Sequence, residues 1–179
     1  MPQRKRLNPL DGSWIMLESP ETPMHVGSLQ IYELPEDAGT DYIKKIFEYL
    51  RQFPIKSAPF HYRLAKQPFG MTKYNPHWEI VPDDELDVDY HIRHLALPAP
   101  GGERELGIMV SRLHSTPLYP RRPMWEFSLI EGLDKNRFAV YIKAHHAMMD
   151  GVASMKILQD LLSENPNKRD LVPVWAQEK

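Results

Sequence analysis

The stretch "KAHHAMMDG", residues 143–151, follows an alternating apolar run, "RFAVYIKAH" (137–145), and leads into an amphipathic one, "GVASMKILQDLLSE" (151–164). Successive side chains of an extended strand point to opposite faces. Phe138, Val140, Ile142 and Ala144 therefore share one face of the expected strand, and His146 joins them if the strand continues. Tyr141, Lys143 and His145 take the other face. Adjacent histidines arranged in this way diverge and do not readily chelate one ion. Histidines at i, i+4 of a helix, the stronger metal signal, are absent, so no metal is expected.

A packed turn and a general base remain as readings. An unperturbed imidazole has a pKa of about 6.5, largely neutral near pH 7, which suits proton transfer. A positioned base contributes about 10²–10⁴ in rate. Asp150 can cap the following helix or fix the turn by binding an arginine. Gly151 permits a tight approach or a positive φ. On chemistry alone the turn and the base both stay open.

Working outward, "WEFSLIEGL" (125–133), "DKN" (134–136) and "RFAVYIKAH" predict a hairpin. "GERELGIMVSRLHS" predicts a helix with Leu106, Met109, Val110 and Leu113 on one face. "TDYIKKIFEYLRQF" predicts another, with Ile43, Ile46, Phe47, Leu50 and Phe53 inward, Thr40 as cap and Pro54 as stop. Leu10–Leu17 reads as a short helix capped by Asn8 before Pro9. "HVGSLQIYEL" (25–34) and "DYHIRHLAL" (89–97) read as strands, and short strands are expected near 62–67 and 78–81. In the helix after Gly151, Val152, Met155, Leu158, Leu161 and Leu162 should turn inward. Irregular alternation of strands and helices predicts an α/β fold, an α+β two-layer sandwich built on a mixed sheet with packed helices. The expected domain covers residues 1–164, and the unpatterned 165–179 reads as the start of a linker.

The chain has 179 residues and no cysteine, which excludes thiolate catalysis and disulfides. Its formal charge of −2, with both signs interspersed, gives no field suited to nucleic acid. Arg4, Lys5 and Arg6 read as a solvated basic terminus, with weak attraction to anionic lipid as the alternative. No apolar run reaches the roughly 18 residues of a membrane span, and no signal peptide is evident, so a cytoplasmic protein is expected. Seventeen prolines predict short elements and many ordered connections.

"HHAMMDG" is similar to the HHxxxDG motif of the CoA-dependent acyltransferase superfamily. The flanks "LNPLDGSWIMLESP" (7–20), "TPMHVG" (22–27), "DYHIRHLALPAPG" (89–101) and "RPMWEFSLIEGL" (122–133) resemble one branch of it, the bacterial wax ester synthase/diacylglycerol acyltransferases. The resemblance implies the N-terminal, chloramphenicol acetyltransferase-like half of a two-domain enzyme, with its own C-terminal domain completing the tunnel. It implies transfer of a long acyl chain from acyl-CoA to a fatty alcohol or diacylglycerol, with no cofactor. His146 would be the general base, His145 and Asp150 supporting or orienting residues, and Gly151 a turn residue. Pro117, Leu118, Pro123 and Trp125 match the family's acceptor-associated segment, with Met124 where leucine is usual. The alternative for these residues is a proline-stiffened approach to a strand with Trp125 in the core. Such substrates imply peripheral contact with the inner membrane or a lipid inclusion, and an isolated half should be weak or inactive. Competing readings are a condensation-type domain using carrier-protein thioesters and a non-catalytic lipid-binding half-domain.

Overall fold

The computed structural model describes residues 4–149, 155, 159, 162–165 and 172–177. In chain order they form β1 (Arg4–Arg6), α1 (Pro9–Leu17), β2 (His25–Glu33), α2 (Tyr42–Arg51), β3 (Tyr62–Leu64) and β4 (His77–Ile80). After these come α3 (Val88–His91), β5 (Ile92–Ala96), α4 (Glu103–Ser115), β6 (Trp125–Leu133) and β7 (Arg137–His145).

The expected hairpin is the heart of the main sheet, whose order is β2-β7-β6-β5. β7 runs antiparallel to both β2 and β6, while β5 lies parallel to β6, so the sheet is mixed. Lys135 and Asn136 turn the hairpin with positive φ angles of 55° and 56°. Phe138, Val140, Ile142 and Ala144 pack with Trp125, Phe127 and Leu129 against α2, through Ile43, Ile46, Phe47 and Leu50. The opposite face carries Ala139, Tyr141 and Ile130 against Leu106, Met109, Val110 and Leu113 of α4. Both alternations match the sequence, and each helix follows its predicted apolar stripe except at Phe53, which lies beyond the end of α2 and meets the Tyr49 ring instead. The fold class is therefore α/β, a mixed sheet with helices, here covered on both faces.

A second antiparallel sheet, β1-β4-β3, lies beside the first. Its edge strand corrects the reading of Arg4, Lys5 and Arg6 as a free solvated terminus. Their backbone pairs with Glu79, Trp78 and His77 while their side chains stay exposed. Three further expectations are corrected. α2 takes Asp41 as its N-cap position, not Thr40, and Asp41 pairs with Lys45 at 2.8 Å. Residues 88–91 form one helical turn before β5, because the Asp87 side chain accepts the Tyr90 amide and caps it. Met155 and Leu162 are 58% and 59% exposed, standing off both described core clusters. Val152, Leu158 and Leu161 of that predicted helix lie outside the described residues. Part of the segment read as linker is also docked: Val174 and Trp175 are buried, and the Trp175 carbonyl accepts the amides of Lys56 and Ser57. The Trp175 ring finds room beside Trp125 and Phe127, which periodicity could not reveal.

The loop from β5 into α4 packs on the β6–β7 turn under tight steric control. Gly101 has φ of 74°, and a Cβ there would lie 1.9 Å from the Gly132 carbonyl oxygen. Its own carbonyl accepts the Asp134 amide at 2.9 Å. Neighbouring Gly102 has an extended backbone and caps α4, with Glu105 accepting its amide at 2.9 Å. Gly101→Ala is expected to lower the unfolding free energy by more than about 2 kcal/mol. Gly102→Ala should cost only a few tenths of that, about the ordinary loss at a glycine cap. Urea denaturation of the two variants checks the contrast.

Candidate active site

The two adjacent histidines stand where β7 ends, held by the backbones of both neighbouring strands' approaches. The His145 amide donates to the Met124 carbonyl at 2.9 Å, and the His146 amide to the Met24 carbonyl at 2.9 Å. The rings then part, as the strand period requires. His145 is 1% exposed on the α4 face, beside Lys143 and Tyr141 in the alternation. Its Nδ1 accepts the Ala147 amide at 3.0 Å, which leaves Nε2 to carry the proton. That nitrogen faces the Glu18 carboxylate at 3.4 Å, a long contact rather than a tight hydrogen bond.

Glu18 follows directly after α1, the helix capped at its start by Asn8, whose side chain accepts the Asp11 amide as predicted. Burial pushes the Glu18 carboxyl up. The contact with His145, the Met24 amide and nearby His25 more than offset this and hold it below its ordinary value. From the same helix, four residues earlier, Trp14 lies flat on His146, with ring centroids 4.2 Å apart and planes 16° from parallel. His146 is half-buried. Its Nδ1 is enclosed and has no hydrogen-bond partner among the described residues.

Around His145 the α4 face is polar and closely tied. Lys143 is fully buried. Its Nζ donates to the Leu113 and Thr116 carbonyls, both at 2.7 Å, and meets Glu126 at 3.3 Å. Arg93 binds the other Glu126 oxygen at 2.9 Å. Lys143 therefore closes the C-terminal end of α4, where carbonyls lack helical partners. Burial presses its ammonium below the usual lysine value, and Glu126 counters that. His25, opposite His145 in the ladder, reaches the His114 carbonyl with Nε2 at 2.6 Å. Burial lowers the His25 imidazole, against the pull of that carbonyl. The Tyr141 hydroxyl bonds His114 Nδ1 at 2.7 Å, and burial pushes it up to about 12. Tyr141 needs Gly27, since a Cβ there would sit 2.3 Å from its hydroxyl oxygen. This packing accounts for the glycine of "MHVG".

The acceptor-associated residues divide. Pro117 is exposed, whereas Leu118 and Pro123 are buried. Trp125 is 1% exposed, stacked between His91 and Trp175, with its indole N–H donated to the Phe60 carbonyl at 2.8 Å. For Trp125 the packed-core alternative describes the contacts. Asp150 and Gly151 lie outside the described residues. Sequence reasoning gave no role to Trp14, Glu18, Lys143 or Glu126. The last two carried a signal, as charges on otherwise apolar alternating strands. Trp14 and Glu18 carried none that spacing could read, because their partners lie at the far end of the chain.

The wax ester synthase/diacylglycerol acyltransferase catalytic domain matches residues 7–179 of this sequence. The chain belongs to that family. It is 40% identical over 172 residues to the O-acyltransferase WSD of Acinetobacter baylyi, covering 96% of this chain and 35% of that protein. It is 42% identical to the wax ester synthase/diacylglycerol acyltransferase of Marinobacter aquaeolei VT8, with a TM-score of 0.87 over 96% of this chain and 41% of that one. The first condensation domain of the calcium-dependent antibiotic synthetase shares the fold at 19% identity, with a TM-score of 0.66 over 88% of this chain and 36% of that one. The chain thus spans little more than a third of the curated family relative.

The lowered Glu18 pKa sets a pH prediction. Stability from its contacts is fully present above the ordinary carboxylate value near 4.5 and is lost as pH falls through the depressed folded value. The stability difference between wild type and Glu18→Gln, from urea unfolding, should therefore be present at pH 6 and shrink steadily below pH about 4.5.

Proposed function

We propose that this chain supplies the proton-transferring part of an O-acyltransferase acting on long-chain acyl-CoA and a fatty alcohol or diacylglycerol. The observation that carries the reading is the division of labour at the strand end. His145 accepts the Ala147 amide at Nδ1 and turns Nε2 toward the Glu18 carboxylate, while His146 is held by its backbone and one ring face. In a member of this family, that leaves His146 as the group suited to exchange a proton with a substrate.

In the proposed step His146 takes the proton of the acceptor hydroxyl as its oxygen attacks the thioester carbonyl. A C–O bond forms, and the tetrahedral intermediate collapses with loss of the C–S bond. The CoA sulfur leaves as thiolate and receives the proton from the imidazolium. Acid–base cycling at one imidazole is complete, and no acyl-enzyme and no cofactor are required. His145, oriented by Glu18, fixes the strand end. The family motif gives Asp150 an orienting role and Gly151 the role of a turn residue. Leu118 and Pro123 back the acceptor side. Further groups that polarise the carbonyl would come from a C-terminal domain.

The apolar substrates place this reaction at the inner membrane or a lipid inclusion, reached from the cytoplasm by peripheral contact. Among the described residues no helix is long and apolar enough to cross a membrane.

The test is hexadecanol-dependent release of CoA thiol from palmitoyl-CoA by the full-length protein, its His146→Ala variant and residues 1–179 alone. The full-length protein should turn over, and His146→Ala should lose at least about 10²-fold, the lower end expected for a general base. Residues 1–179 should be weak or inactive. Turnover that survives the substitution would return the motif to a structural turn.

A further inference from the structure

We propose that Trp14 is a positioning residue for the base: its indole sets the plane of the His146 imidazole. The inference rests on the reading of His146 as base. The His146 backbone is fixed by its bond to Met24, but this leaves the ring torsion undetermined. That torsion is intrinsically broad for an imidazole. A hydrogen bond usually settles it, as the Ala147 amide does for His145. His146 Nδ1 has no such partner among the described residues. What the described structure offers instead is the flat indole face at 4.2 Å and 16°.

Trp14 is itself well placed to act as a reference surface. The next residue, Ile15, is buried in the core and fixes the rotation of α1. The Glu18 amide donates to the Trp14 carbonyl at 3.1 Å, so the two side chains rise from one helical turn. Glu18 meets His145, and Trp14 meets His146. The Lys73 ammonium binds the Glu18 carbonyl at 3.0 Å and ties the end of that turn to the 71–76 segment. One helix thereby holds both histidines in a fixed mutual angle. The indole face also attracts a cation, so it favours the imidazolium that exists while the base holds the proton. An aliphatic side chain of similar volume would fill the space and do neither.

The experiment measures CoA release from palmitoyl-CoA and hexadecanol in the full-length protein, with a melting curve for each variant. The variants are Trp14→Phe, Trp14→Met, Trp14→Gln, His146→Ala, and Trp14→Met combined with His146→Ala. Both non-aromatic replacements should lose roughly 3- to 30-fold in kcat, the range of a partly exposed aromatic–cation contact. KM for either substrate should stay within about twofold. Trp14→Phe, which keeps a ring, should recover most of the rate. On the His146→Ala background, Trp14→Met should cost nothing further.

Wild-type kcat in Trp14→Met, a loss carried by KM alone, or an equal further loss on the His146→Ala background overturns the positioning role. So does a rate loss that tracks melting temperature across the three Trp14 single variants instead of the presence of a ring. Activity that survives His146→Ala is a different failure, because it overturns the base reading itself.

Discussion

β7 is hydrogen-bonded along both edges, to β2 over nine residue pairs and to β6 from Trp125 to Leu133. A strand clamped on both sides cannot rotate about its axis, and a register slip of one residue would exchange its faces. The face that carries Tyr141, Lys143 and His145 is thereby committed to α4, and the face of Ala144 to α2. The ladder continues past the last strand residue through the His146 amide, so the same constraint reaches both imidazoles. The chemistry of the site begins with this pairing: two identical side chains, adjacent in sequence, receive opposite surroundings.

The buried charges on the α4 face make the arrangement specific. A buried lysine is costly unless its protons are taken up, and here two helix-end carbonyls and a carboxylate do so. Those carbonyls are available at one place, the last turn of α4. The ammonium therefore selects a single seating of α4 over β7, where apolar contacts alone would tolerate several. His114 and His25 are brought to the edge of the site by that seating.

What could be read from the sequence was whatever depends on local periodicity. The hairpin, the inward faces of α2 and α4, the Asn8 cap and the divergence of His145 from His146 all follow from side-chain spacing within a dozen residues. Thr40 gave way to Asp41 because cap choice turns on one residue of backbone geometry. Val174 and Trp175 were missed because a docked segment without regular structure has no period to detect. Trp14 and Glu18 are a deeper omission. Their helix has no one-sided apolar stripe to distinguish the side that meets the histidines, and its contacts with them are long-range. The family motif indicated the histidines without indicating what grips them.

The grip of α1 on the histidine pair joins residues roughly 130 positions apart in the chain. Contacts of such separation carry a large loop-closure entropy and slow folding. A growing or partly folded chain can build the β6–β7 hairpin and even display both imidazoles, yet it lacks the surface that aligns them. The paired and stacked setting of the two imidazoles therefore exists only once α1 has returned to β7. That setting is thereby a property of the finished fold, absent from a chain in which β7 has formed and α1 has not yet docked.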